Sequence, residues 1–209
     1  MKTVQVFLLI SVYLGVGIDF PEIGRIVEFN APNNKNLTTM KKNLLIIILL
    51  ISINSFSQSF TEFKNDNLKI EFPETWIVLP KEKMPQLALV AYRKPENSVD
   101  RAQVTININI INIPNSSLDK TYSDLVDSIS EVENFKLLKN GNVDISSQPF
   151  KWLIESHSNY KDKNQQMHNY VFVTYKNDKA YILTMVAFSE VFDTYKSIFD
   201  KISKSLIIN

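Results

Sequence analysis

The chain has 209 residues, 44% of them apolar and 22% charged, with a formal net charge of +1. That length holds one ordinary domain with an appendage and is ample for a real core, and the near-neutral balance argues against a nucleic-acid partner, which selects a visibly basic surface. With no cysteine and only two histidines, His157 and His168, disulfides, thiolate metal sites, cysteine nucleophiles and lipid attachment through an N-terminal cysteine are excluded, and a polyhistidine metal centre nearly so.

The start of the chain has a composition of its own. Gly15, Gly17 and Gly24 fall there, which leaves Gly141 as the one glycine of everything after. Met40-Lys41-Lys42-Asn43 precedes an apolar run from Leu44 to Ile53, and small residues two apart, Ser55 and Ser57, follow. A basic start, about ten apolar residues and a small-residue site make a secretory signal. The run is too short to span a bilayer, which needs roughly 20 apolar residues; a buried or membrane-anchoring helix is the competing reading. The spacing predicts cleavage between Ser57 and Gln58. Residues 1–39 then form an upstream extension absent from the mature protein, 40–57 the signal peptide, and 58–209 a single domain. Loss of residues 1–57 removes five basic and three acidic residues and turns the net charge to −1. The expectation is an exported protein, periplasmic or secreted, with no stable membrane span once the signal is gone.

From Gln58 the pattern is strands first. Phe60 and Phe63, the turn Asn65-Asp66-Asn67, and alternating Leu68, Ile70 and Phe72 read as a hairpin with Asx chemistry at its turn. Pro73 to Thr75 break the second strand, and Trp76 and Val78 fold back over the core. Gln86 to Arg93 is the next strand. Val104, Ile106, Ile108 and Ile110 then alternate with Thr105, Asn107 and Asn109, a strand with one apolar face, and the phase slip at Ile110-Ile111 predicts a β-bulge. The polar, uncharged face of Thr105, Asn107 and Asn109 suits a solvated sheet surface or a partner interface. A helix follows, with Leu118, Tyr122, Leu125, Val126, Ile129 and Val132 as its stripe and Ser116 or Ser117 as its cap. Strands are predicted at Phe135–Leu138, Val143–Ile145, Phe150–Ser158, Asn169–Tyr175 and Ala180–Phe188, with Gly141 in a hairpin turn. The last of these is apolar on both faces and needs cover on both sides. A closing helix from Ser189 to Ser205, with Val191, Phe192, Tyr195, Ile198, Phe199 and Ile202 as its stripe, supplies one cover, and the helix from Leu118 the other. The expected fold is α+β, an antiparallel sheet sandwiched between helices.

Two stretches carry a family resemblance. The hairpin ending in Phe72-Pro73-Glu74-Thr75-Trp76 resembles the opening of the PsbP-like superfamily, and Tyr181-Ile182-Leu183-Thr184 followed by Phe192 to Leu206 resembles its last strand and helix. The resemblance covers Gln58 to Asn209. It implies an α/β/α sandwich that works by binding, with no shared enzymatic activity, and it transfers no ligand residue. Function has to be argued from sites.

Candidate sites are few. There is no G-x-S-x-G elbow, phosphate-binding loop or dinucleotide-binding glycine pattern, and no catalytic residue is assigned. His157 and His168 flank the turn near Lys161 to Gln165 and are expected as cross-strand neighbours. Two imidazoles there could share a metal with Glu155 or Asp162, but partly exposed polar residues at a hairpin end are the simpler reading, and neither metal nor cofactor is assigned. Trp76 and Trp152, with Tyr170, Phe172 and Tyr175, either line a binding groove or fill the core. Asp124 and Asp127, and Lys196, Lys201 and Lys204, read as solvated helix faces. The leading functional reading is an exported, non-enzymatic binding or assembly protein of a bacterial envelope, whose partner is another envelope or secreted protein docked on a surface. A carrier of a small or lipid-like molecule in a cleft between sheet and helix is the alternative, and an enzyme the third.

Overall fold

The computed structural model describes residues 58–97, 100, 103–159 and 162–209; the expected signal peptide, the Ser57 side of its expected cleavage site and the expected upstream extension lie outside them. Among the described residues ten strands and two α-helices follow one another as β1 (Phe60–Lys64), β2 (Leu68–Pro73), β3 (Trp76–Val78), β4 (Leu89–Arg93), β5 (Val104–Asn112), α1 (Leu118–Ser130), β6 (Lys136–Ile145), β7 (Gln148–Ser158), β8 (Gln166–Lys176), β9 (Lys179–Phe188), α2 (Ser189–Lys204) and β10 (Ile207–Ile208). Every strand pairing is antiparallel. The strands divide into a three-stranded sheet, β1-β2-β10, and a seven-stranded sheet, β3-β4-β5-β9-β8-β7-β6.

Local chemistry sets the turns. Asn65 Oδ1 accepts from the backbone N–H of Asn67 (2.9 Å) and Leu68 (3.0 Å), the Asx turn expected of the first hairpin. Asn177 and Asp178 both hold positive φ, 51° and 58°, the conformation a two-residue hairpin requires and that short polar side chains tolerate. At the start of α1, Ser117 Oγ accepts from Lys120 N–H at 3.2 Å, so Ser117 is the cap.

Strand β9 holds the domain together. Eight of its ten residues, Ala180 to Ala187, are buried. Tyr181, Leu183 and Met185 join Ile106, Ile108, Tyr170 and Phe172 in one cluster, which Phe192, Phe199 and Ile202 of α2 complete together with Leu68, Ile70 and Phe72 of β2. Ala180 and Ile182 join Leu153, Val171 and Val173 in a second cluster, completed by Leu125 and Ile129 of α1. Alternate residues of the same strands therefore serve two cores, because successive strand side chains leave opposite faces.

Three expectations need correction. β5 pairs with β9 without interruption from Val104↔Ala187 to Asn112↔Lys179, so Ile110-Ile111 holds no bulge. The phase of the apolar pattern changes there because the second face gains its own apolar cover at Ile111 and Ile113, which pack with α1. The Asn face of β5 is not a solvated surface either: Asn107 is 0% and Asn109 3% exposed. Gly141 lies inside a single strand running from Lys136 to Ile145, not in a turn between two. The turn is at Ser146-Ser147, with φ of 51° and 65°. β10, two residues paired with Lys69 and Leu68, is too short to leave a periodic signal.

Gly141 has a packing reason for its identity. It stands opposite Trp152, and a Cβ built on it would lie 2.9 Å from three atoms of the indole ring, a distance at which the ring must move. Gly141→Ala is therefore expected to lower stability by about 1 kcal/mol, as overpacking outweighs the gain in strand propensity. In a Trp152→Leu background the same change is expected to be neutral or stabilising. A thermal-denaturation double-mutant cycle that finds no coupling between the two positions contradicts this account.

Candidate functional site

The residues proposed as sites are not gathered in one place. Trp76 sits on β3 and Trp152 on β7, five strands apart in the seven-stranded sheet, or about 24 Å at the usual inter-strand spacing. Trp76 is 5% exposed and belongs to the main core. Trp152 is half-buried against Gly141 and meets Tyr170 edge-on, with ring centroids 5.7 Å apart. Tyr170 meets Phe172 at 4.6 Å, and both are core residues. Burial and the neighbouring Asp200 carboxylate hold the Tyr170 phenol well above its ordinary range. The Tyr175 hydroxyl donates to Asp178 Oδ1 at 2.8 Å and accepts from Ser116 N–H at 3.2 Å, tying the β8–β9 turn to the start of α1. These aromatics pack and brace; they do not line a common groove.

The two histidines also part company. His168 stands opposite Ser156, and His157 opposite Met167, so the imidazoles leave the sheet on opposite faces and do not share a metal. Asp162 is occupied with its own turn, its Oδ1 accepting from Asn164 N–H at 3.0 Å. His168 lies against Phe192 of α2, ring centroids 5.1 Å apart. His157 lies on the α1 face, with Nδ1 3.2 and 3.1 Å from the two carboxylate oxygens of Glu155. Glu155 is 1% and His157 6% exposed. Among the described residues no group of three or more His, Cys, Asp and Glu is placed to hold a metal ion.

Glu155 belongs to a polar seam that sequence reading missed. Cross-strand register sets Thr105, Val186, Asn169 and Glu155 in one row over β5, β9, β8 and β7, with Asn107 and Thr184 in the next row. Asn169 is 2% and Thr184 4% exposed. Asn107 Nδ2 reaches Thr184 O at 3.4 Å, while Thr105 Oγ1, Asn107 Oδ1 and Asn169 Oδ1 are buried with no hydrogen-bond partner. Alternation of Thr and Asn with isoleucine in β5 was the legible signal, but it reads equally as a wet face.

Two surface features complete the inventory. A cleft of about 410 Å³ lies between the start of α1 and the β6–β7 hairpin, lined by residues that include Leu118, Asp119, Asn142, Val143, Phe150 and Lys151. Lys151 pairs with Asp119 and lies 5.2 Å from the Tyr122 ring centroid. The second is β6, the outermost strand of the large sheet. Leu137, Leu138 and Val143 on it are 42%, 45% and 36% exposed, half of the exposed large apolar side chains among the described residues. Register shifts between Leu137 and Lys139, so Leu138 is the extra residue of a bulge. Asp124 is paired with Lys120 on the exposed side of α1, whereas the Lys196–Asp200 pair of α2 is part-buried toward the sheet, with Lys196 Nζ 5.2 Å from the Tyr170 ring centroid, and so is not the solvated face expected there.

His168 gives a pH test. Desolvation lowers its pKa from the ordinary 6.5, outweighing the opposing pull of Glu155 and Asp193. The unfolded chain thus takes up the proton more readily than the folded one, and stability is lost as pH falls through 6.5 and below. The decline in melting temperature between pH 7.5 and 5 is expected to be shallower in His168→Phe; an unchanged pH slope contradicts the assignment.

No protein-family model matches the sequence, and no curated protein matches it. Solved structures that share the architecture include three of note. The PsbP protein (CyanoP) of Synechocystis sp. PCC 6803 is 16% identical with a TM-score of 0.53, over 75% of this chain and 96% of that one. LpqN of Mycobacterium tuberculosis, described as involved in cell envelope biogenesis, is 12% identical with a TM-score of 0.51, over 72% and 91%. The Ran-binding protein Mog1p of Saccharomyces cerevisiae is 11% identical with a TM-score of 0.51, over 73% and 96%. Identities this low establish the fold and nothing finer: the chain has the PsbP-like fold.

Proposed function

We propose that this is an exported, non-enzymatic docking protein, and that it engages an extended segment of another envelope or secreted polypeptide along the β6 edge. The carrying observation is that edge. Ten residues long and paired on one side only among the described residues, β6 presents outward-facing backbone donors and acceptors to an added strand. Leu137, Leu138 and Val143 supply apolar side chains beside them. The Leu138 bulge interrupts flat pairing, a device that limits indiscriminate edge-to-edge association. In this reading the two helices are the outer layers of an α/β/α sandwich, as the two clusters with α1 and α2 suggest, and the ligand-binding edge is what they leave uncovered. A binding or assembly role agrees with the neighbours described as Ran-binding or as involved in envelope biogenesis.

Export rests on the sequence from Met40 to Gln58. Among the described residues no helix is long and apolar enough to cross a membrane. The mature N-terminus is expected at Gln58; N-terminal sequencing of the protein from its host that finds any of residues 1–39 retained overturns this part of the proposal.

The docking reading is tested by native mass spectrometry of the protein purified from its host. The wild type is expected to hold a defined polypeptide at fixed stoichiometry, and Leu137→Lys with Val143→Lys to lose it at least ten-fold while keeping the wild-type melting temperature within a few degrees, since surface changes of this kind cost little. A complex that survives both substitutions contradicts docking at β6. A retained small molecule without a polypeptide favours the cleft beside Lys151 instead.

A further inference from the structure

The open edge of β6 is electrically polarised along its length. Lys136 and Lys139 stand toward its start and Asp144 near its end, all three exposed. None of them makes an ion pair among the described residues. Glu133, the acid nearest to Lys136 in sequence, is already paired with Lys163. Register sets Lys136 and Lys139 opposite Ser156 and Ile154, and Asp144 opposite Pro149, so the cations and the anion leave opposite faces of the sheet. An edge that had only to repel other strands would be served by lysine anywhere along it. Opposite charges at its two ends specify instead the order of charges on a strand that pairs there.

The acidic end also has depth. Asn142, Val143 and Asp144 of β6 form one side of the cleft of about 410 Å³, which they share with Leu118 and Asp119 of α1 and Lys151 of β7. Two acids stand there against one base. Lys151 is held by Asp119 and by the Tyr122 ring, but a carboxylate accepts more than one donor, and Asp144 brings a second carboxylate. A side chain entering from a strand beside Asp144 meets apolar walls, Leu118 and Pro149 among them, and then the carboxylates. Arginine fits that combination, with a methylene stem for the walls and a planar fork of donors for the acids.

Resting on docking at β6, we propose that the docked segment pairs antiparallel with β6, places an arginine in this cleft beside Asp144, and carries an acidic residue five positions later that meets Lys139. Asp144 and Lys139 are five residues apart, an odd separation that puts the two partner side chains on opposite faces as the edge requires. Antiparallel pairing, which places the arginine first in the segment, is the more stable mode. The probe is a capped peptide, Thr-Arg-Val-Thr-Val-Thr-Glu-Val-Thr, compared with one in which Arg and Glu change places and one with Gln at both. Each is titrated into the full protein while the backbone amide NMR signals of β6 are followed. All three are expected to shift β6, the first binding about three-fold or more tighter than the others at low salt and losing that lead at high salt. Asp144→Lys with Lys139→Glu, both exposed positions, is expected to abolish or invert the preference. Equal affinities for the three, a wild-type preference for the exchanged peptide, or a preference that survives the double substitution overturns the charge order and leaves docking in place. If no peptide shifts β6, docking at that edge falls, and the arginine anchor with it.

Discussion

The structure depends on one constraint: β9 is apolar on both faces and must be covered on both. A strand that presents Tyr181, Leu183 and Met185 to one side and Ala180 and Ile182 to the other cannot face water on either. Its place at the middle of the seven-stranded sheet follows, between β5 and β8. So does the need for two helices whose apolar stripes lie at spacings of three and four. α2 brings Phe192, Phe199 and Ile202 to one face, and α1 brings Leu125 and Ile129 to the other. The small sheet β1-β2-β10 is an extension of the first core, since Leu68, Ile70 and Phe72 are nearly solvent-free there.

Most of this was legible in the chain, because periodicity records which faces are buried. The two helical stripes, a cap at Ser116 or Ser117, the Asx turn at Asn65 and the double-faced β9 all came from local pattern. What failed was whatever depends on a neighbour distant in sequence. Gly141 resembles a turn residue until Trp152 is known to lie over it. The phase slip after Ile110 looks like a bulge until α1 is known to cover Ile111. His157 and His168 flank one turn, yet a one-residue offset in register puts them on opposite faces.

The candidate sites were less legible for the same reason. Trp76, Trp152 and the tyrosines drew notice as large aromatics, and they proved to be packing and bracing residues. The open edge at β6 and the polar seam behind it consist of ordinary residues, Leu, Val, Asn and Thr, whose significance comes from position. Leu137 links the two features: it is exposed on the edge and stands opposite the buried Glu155. The proposed docking rests on β6, the longer of the two edge strands of the seven-stranded sheet, ten residues against three for β3.

Residue-resolved amide hydrogen exchange on the intact protein tests this division most directly. The account predicts that amides of β8 and β9 exchange only with global unfolding, while the outward-facing amides of β6, from Lys136 to Asp144, exchange orders of magnitude faster. Protection of β6 equal to that of β9 in the free protein would contradict it, since the edge would then already be covered.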